Sequence, residues 1–416
     1  MDKLIIKGGK KLKGVVQISG AKNSALPNMA ASILASGTHE LANIPQVADV
    51  RTMRKLLAHT GAVCTAGSGT ISIDTSHANK PEAPYDIVKT MRASSLVLGP
   101  MLARFGRAHV SLPGGCAIGA RPLNLHLKAL ESMGAKINLD EGYINAESKR
   151  LHGATINFDG VTVTGTENIM MAATLAKGTT VLENAAKEPE VADLANYLKK
   201  MGANIEGAGT DKIIIEGVDA LHAARHAIIS DRIEAGTFAC AAAITGADMT
   251  IENCPAEFIE ALLGKLREAG CNVQPLPSIR IHAPNHLKAV DITTSPYPGF
   301  ATDLQAQFMA CMTVAEGTSI ISETIFENRF MHVQELTRLG ADIKIDGHAA
   351  VVKGVRHLTG APVMATDLRA SASLLLAALR AEGTTEIQRI YHLDRGYENI
   401  EQKLIALGAE IERVKG

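Results

Sequence analysis

Leu56-Leu57-Ala58-His59-Thr60-Gly61-Ala62-Val63-Cys64 reads as the end of a helix, a glycine, and the start of a strand. The pattern returns as ALESMGAKI (129–137), YLKKMGANI (197–205), KLREAGCNV (265–273), ELTRLGADI (335–343) and KLIALGAEI (403–411). Its glycines, Gly61, Gly134, Gly202, Gly270, Gly340 and Gly408, lie 73, 68, 68, 70 and 68 residues apart. Glycine just past a helix end supplies the left-handed cap that turns the chain into a strand. The spacing therefore predicts six copies of one unit.

A second signature precedes each of these glycines by 23 to 28 residues: an alanine-rich helix, a glycine, then a β-rich run. Its glycines are Gly37, Gly106, Gly178, Gly246, Gly317 and Gly383. Each unit thus holds two helices and several strands. A regular solenoid could stack such units, but about seventy residues is long for a solenoid repeat. The alanine-rich helices also read as buried on all sides. Three units around shared helices, twice over, would make two compact domains of ordinary size. The repeat itself does not show that grouping.

The chain has 416 residues, 46% of them hydrophobic, with only 3% aromatic and no Trp. Alanine and aliphatic side chains must build its core. A formal charge of −1 gives no basic field for nucleic acid. Affinity for anions must come from a few placed arginines and lysines. The cysteines Cys64, Cys116, Cys240, Cys254, Cys271 and Cys311 form no CxxC pair and no zinc-ligand spacing. They fit a reducing cytoplasm. The leading MDKLIIKGGKKLKG has no long apolar core, and no apolar run is long enough for a membrane span.

Chemistry-bearing residues recur at equivalent points of the unit. Fourteen or fifteen residues before the second set of glycines stand Lys22 or Asn23, Arg92, Thr164, Asp231 or Arg232, Asp303 and Arg369. Each falls at the predicted start of an alanine-rich helix, where unpaired N–H groups suit anions. Ten to twelve residues after the same glycines stand Cys116, Glu190, Arg329 and Arg395, placed by the spacing in the loop before the second helix. Plain roles also exist. Thr302 and Asp303 could be N-cap groups, Glu190 a first-turn carboxylate, Lys22 a loop lysine, and His126 a satisfied structural histidine. The common position favours a site over any single residue's plain role.

Ser111-Leu112-Pro113-Gly114-Gly115-Cys116-Ala117-Ile118-Gly119-Ala120-Arg121-Pro122 places one thiol at the tip of a glycine-rich loop, five residues before an arginine. Such a loop can act as a lid, with a guanidinium or a bound anion setting the thiol's pKa. No GxGxxG follows a first strand, and GxxxxGK[ST], GxSxG and HExxH are absent, which argues against nicotinamide, P-loop, serine-hydrolase and zincin chemistry. Nothing local supports a cysteine hydrolase.

SGAKNSALP (19–27), TMRASSLVLGP (90–100), LPGGCAIGARPLNLH (112–126), DRIEAGTF (231–238), YPGFATDLQAQ (297–307), ENRFMHVQEL (327–336), TDLRASASL (366–374) and YHLDRGYENIEQKL (391–404) resemble the UDP-N-acetylglucosamine enolpyruvyl transferase family. The cysteine loop separates that family from the shikimate-phosphate enolpyruvyl transferases. The resemblance implies a two-domain inside-out α/β barrel of six βαβαββ repeats, three per domain. It implies a C-terminal domain of residues 1–20 plus 230–416, an N-terminal domain of 21–229 carrying the Cys116 lid, and an active site in the cleft between them.

The implied reaction transfers the enolpyruvyl group of phosphoenolpyruvate to the 3-hydroxyl of UDP-N-acetylglucosamine and releases phosphate. That is a committed step of peptidoglycan synthesis, tied to cell-wall biogenesis, cell shape and division. By resemblance, Cys116 is the proton donor and can form a covalent adduct, and Asp303 is the base. Lys22, Asn23, Arg121, Arg329, Arg369 and Arg395 hold phosphoenolpyruvate, with Lys22 and Arg395 also counted as catalytic. Asn23, Arg92, Arg121, Pro122, Leu123, Asn124, Leu125, Thr162, Val163, Asp303 and Ile325 hold the nucleotide sugar. No cofactor, metal, nucleic acid, membrane or obligate protein partner is implied. Where some relatives carry a lysine this chain has Gly160, so no lysine role transfers to that loop. A different acceptor such as shikimate-3-phosphate, or a non-catalytic paralogue that binds nucleotide sugar, are the competing readings.

Overall fold

The computed structural model describes residues 2–113 and 123–416. The expectations placed on Cys116, Arg121 and Pro122 fall outside the described residues.

All twelve glycines of the two signatures have positive φ, from 66° at Gly246 to 125° at Gly37. Each ends a helical stretch, so the repeat is written in backbone geometry that other residues resist. The main helices and strands follow βαβαββ order five times along the chain, and a sixth copy, βαβαβ, takes its remaining strand from Lys3–Lys7. Each copy contributes to a four-stranded sheet of one design. In the copy around Arg107–Ser111, that strand lies between Glu82–Ala83, parallel to it, and Tyr143–Glu147, antiparallel, with Lys136–Asp140 at the edge. Alternation along strands such as Lys212–Glu216 turns Ile213 and Ile215 inward and leaves Lys212 and Glu216 in water.

Three sheets are closed by strands from distant sequence. Lys3–Lys7 pairs on one side with Thr384–Gln388 and on the other with Glu410–Val414, completing the sixth sheet. Lys13–Gln17 runs parallel to Asp248–Glu252 in the fourth copy's sheet, while Arg225–Ala227 runs parallel to Thr38–Ala42 in the first copy's. The first and fourth copies have therefore exchanged their leading strands. The exchange goes with two compact units: among the described residues, one gathers the chain up to Ser19 and from Ser230 onward, the other residues 20–113 and 123–229.

Within the first unit the helices Arg232–Thr245, Thr302–Met312 and Leu368–Arg380 pack on one another, and the sheets cover them. All 14 residues of Arg232–Thr245 are buried, which its alanine-rich sequence allows. A β-carbon on Gly236 would meet Leu304 Cδ2 at 2.6 Å, so the helices approach where a side chain is missing. In the other unit, Lys22–Ala31, Leu98–Phe105 and Val163–Ala173 form the equivalent core, and Gly99 lies against the Asn168 main-chain oxygen. Among the described residues no helix is long and apolar enough to cross a membrane.

Candidate active site

A polar group stands at or beside the start of five of the six core helices, and Arg92 opens the turn that leads into the sixth, Leu98–Phe105. Asp303 is in the first turn of Thr302–Met312, but neither it nor Thr302 caps that helix; the N-cap is Ala301. The plain capping role is thus corrected. Thr302 Oγ1 donates to Glu323 Oε2 at 2.8 Å. Asp303 faces two guanidiniums: Oδ1 accepts from Arg329 Nη2 and Oδ2 from Arg369 Nη2, both at 2.7 Å. Both arginines are only 5% exposed. Burial alone would raise the Asp303 pKa, but the charges of Arg369 and Arg329 outweigh it and hold the carboxyl well below the usual range.

Arg369 is set by its helix. Asp367 Oδ1 caps Leu368–Arg380 by accepting from Arg369 N at 2.8 Å and Ala370 N at 3.0 Å. Behind the guanidinium lies the Tyr397 ring, 5.6 Å away, with Arg369 Nη1 donating to its hydroxyl at 3.3 Å. That hydroxyl also accepts from Gln307 Nε2 at 3.2 Å and shares a hydrogen with Thr237 Oγ1 at 2.8 Å. Arg329 lies over Phe326 at 5.3 Å, and its Nη1 is buried with no acceptor among the described residues. A buried, unsatisfied guanidinium N–H is costly unless an anion is meant to reach it. Arg395 ends the short turn Ile390–Arg395, two residues before Tyr397. The buried Glu323 accepts from the N–H groups of Ile325 and Phe326 at 2.8 and 3.2 Å. A ligand contact from the Ile325 backbone would therefore fall to its carbonyl.

In the other unit Lys22 opens Lys22–Ala31, with Nζ 3.3 Å from the buried carboxylate of Asp49 and Asn23 half-buried beside it. Beneath them Ser24 and Asn28 donate to Asp193 Oδ2, and Asp193 Oδ1 meets His226 Nε2 at 2.9 Å. Arg92 begins the turn Arg92–Val97 that leads into Leu98–Phe105. Leu123 precedes the helix Asn124–Ser132, leaving Asn124 exposed and Leu125 half-buried. Thr162 caps Val163–Ala173, accepting from Gly165 N at 3.2 Å, and Val163 opens that helix. A side chain at Gly160 would meet nothing within 4 Å, so glycine is not forced there by packing.

His126 is a structural residue, as its plain reading had it. It is buried, with Nδ1 3.1 Å from Asn168 Nδ2, and burial together with the Arg92 charge pushes its pKa down to about 4. Glu190 is not in a loop, correcting the spacing argument. It sits in the first turn of Pro189–Lys200. With Glu188 and Glu167 it makes three buried acids, and burial plus the charges of Glu190 and Glu188 raise Glu167 well above the carboxylate range.

A family profile described as EPSP synthase (3-phosphoshikimate 1-carboxyvinyltransferase) matches residues 6–404. Curated relatives from Myxococcus xanthus and Geobacter metallireducens, each named UDP-N-acetylglucosamine 1-carboxyvinyltransferase, are 61% identical, with each pair aligned over the full length of both chains. The chain belongs to the UDP-N-acetylglucosamine 1-carboxyvinyltransferase family. Its fold is that of solved enolpyruvyl transferases. NikO from Streptomyces tendae matches with a TM-score of 0.89 at 27% identity, over 100% of this chain and 99% of its own. EPSP synthase from Acinetobacter baumannii matches in fold with a TM-score of 0.77 at 19% identity over all of both chains.

For a member of this enolpyruvyl transferase family, sequence reasoning reached Asp303, Arg329 and Arg369, and the structure brings those three together. The offsets also reached Lys22, Arg92 and Thr164 as helix-start residues, while Thr162, which caps the helix holding Thr164, came only from the resemblance. Sequence reasoning missed Tyr397 and Gln307, which meet the Arg369 guanidinium and the Asp303 main-chain oxygen, and Glu323, which ties Thr302 to the turn at Ile325 and Phe326. Glu323 stands between Ser322 and Thr324, and Glu167 between Thr166 and Asn168, so nothing local in the sequence marks either as buried.

Proposed function

We propose that the chain transfers the enolpyruvyl group of phosphoenolpyruvate to the 3-hydroxyl of UDP-N-acetylglucosamine, releasing phosphate, as a committed step toward peptidoglycan. The observation that carries this is the Asp303 carboxylate between two buried guanidiniums, one with a donor unsatisfied among the described residues. A substrate with both a phosphate and a carboxylate needs such forks, and an alcohol acceptor needs such a base. The relatives' shared name supplies the acceptor.

On this reading Asp303 takes the hydroxyl proton, and the freed oxygen bonds to C2 of phosphoenolpyruvate. The Cys116 thiol gives its proton to C3, forming a tetrahedral adduct. The Cys116 thiolate then takes a proton back from C3, whose C–H pair restores the double bond as the C2–O bond breaks and its pair leaves with phosphate, which takes up the proton held by Asp303. Lys22, Arg121 and Arg395 carry the phosphate charge, and Arg329 and Arg369 the carboxylate; guanidinium and ammonium groups provide the neutralisation. Asn23, Arg92, residues 121–125, Thr162, Val163 and the Ile325 carbonyl hold the nucleotide sugar. The reaction's partners are small molecules, its place is the cytoplasm, and its output bears on cell shape and division.

The test is phosphate release from phosphoenolpyruvate with and without UDP-N-acetylglucosamine, and the mass of the nucleotide product. Release that depends on the sugar, with a gain of one enolpyruvyl group, supports the reading. Release with shikimate-3-phosphate instead would move the chain to the sister reaction, and none with either acceptor would leave a binding protein.

A further inference from the structure

Asp303 gives one carboxylate oxygen to each of two buried guanidiniums, at 2.7 Å from Arg329 and 2.7 Å from Arg369. A carboxylate so held is a weak base, and the two charges do hold its proton affinity well down despite burial. Yet the reaction proposed above asks the same group to accept a proton from an alcohol. The substrate's own carboxylate is the same chemical group and needs the same two donors.

We propose that Asp303 is the resident occupant of the substrate-carboxylate site, and that phosphoenolpyruvate displaces it from Arg329 and Arg369 and so converts it into the base. This inference rests on the enolpyruvyl transfer reading. The exchange breaks two N–H···O contacts and makes two, so neither guanidinium is left bare. Arg329 Nη1, buried without an acceptor among the described residues, gives the entering anion a first contact before Asp303 lets go. Tyr397 and Phe326 keep the two guanidiniums in place during the exchange. Released beside an anion, the Asp303 carboxylate gains proton affinity when the acceptor hydroxyl needs it. A premature base, active without the second substrate, is thereby avoided.

The test measures calorimetric binding of phospholactate, which keeps the phosphate and the carboxylate but has no double bond to react. Asp303→Ala removes the competitor and should tighten binding about tenfold or more, the effect of roughly one lost ion-pair contact. Asp303→Asn, which keeps one acceptor, should tighten it less. Asp231→Asn removes a charge that acts on Arg369 through space and should change affinity by less than about threefold. If Asp303→Ala loses its circular-dichroism signature, Asp303→Asn decides. Wild-type turnover with no gain in either Asp303 variant overturns the inference, as does an equal gain in Asp231→Asn. Absence of wild-type turnover would instead overturn the enolpyruvyl transfer reading.

Discussion

Arg369 does two things with one guanidinium: Nη2 meets Asp303 and Nη1 meets the Tyr397 hydroxyl. Lysine keeps the charge and loses the fork. Arg369→Lys should therefore lower kcat/KM for phosphoenolpyruvate by roughly 10²-fold with the fold unchanged, checked by steady-state kinetics beside circular dichroism. A second residue-scale expectation concerns acid. Unfolded, His126 protonates near its ordinary 6.5; folded, burial and Arg92 hold it neutral down to about 4. In that window the unfolded chain binds the extra proton, so stability falls as pH drops from 6.5 toward 4. His126→Gln should cost stability at neutral pH but remove up to about 1.4 kcal/mol per pH unit of that decline. Urea unfolding across the range reads it, and an unchanged slope would contradict it. Asp303, Arg329 and Arg369 were legible because they recur at fixed offsets from the glycines. Tyr397 was not, because nothing in YHLDRGYENI says which way its ring points.

At the scale of elements, the cap decides where the guanidinium stands. Asp367 ties down the first N–H groups of Leu368–Arg380, and Arg369 is the second residue of that helix. Asp367→Ala should cost about 1 kcal/mol by the ordinary worth of a cap, and should also raise KM for phosphoenolpyruvate. A stability loss without any kinetic effect would show that the cap does not position Arg369. Helix-to-helix contact gives a sharper case. A β-carbon on Gly99 would come within 2.4 Å of both Asn168 O and Oδ1. Backbone cannot yield as a flexible side chain can, so Gly99→Ala should destabilise by roughly 2–3 kcal/mol, read by chemical denaturation. The alternation of helix and strand was legible because glycine is the residue that tolerates positive φ at both joints of the unit. Glu190 was misplaced because spacing sets a residue's offset from a glycine but not the helix start, which Pro189 brings forward.

For the whole molecule, the repeat predicted six copies but not their grouping. Grouping depends on which strands cross, and those pairings join residues far apart in sequence. Lys3 meets Glu386, 383 positions away, and Gln17 meets Glu252, 235 away. Period alone carries no such information; the family resemblance did. The closing strand Lys3–Lys7 is central in its sheet, with Leu4 and Ile6 fully buried. Residues 230–416 alone should therefore fail to melt cooperatively, whereas residues 20–229, which hold every strand of their own three sheets, should melt as a unit. Adding a peptide of residues 2–19 to the former should restore a transition, and calorimetry of the three samples tests all of this.

During synthesis the same strand order sets a schedule. The Gly20–Ile229 unit has its full complement of strands once its own residues have left the ribosome. Lys3–Lys7 and Lys13–Gln17 emerge earlier still, but their partners are translated only hundreds of residues later. Until then two unpaired β-segments trail a folded body as open edges. Lys3, Lys7, Lys10, Lys11 and Lys13 give that waiting stretch a dense positive charge, the usual guard against edge-to-edge aggregation.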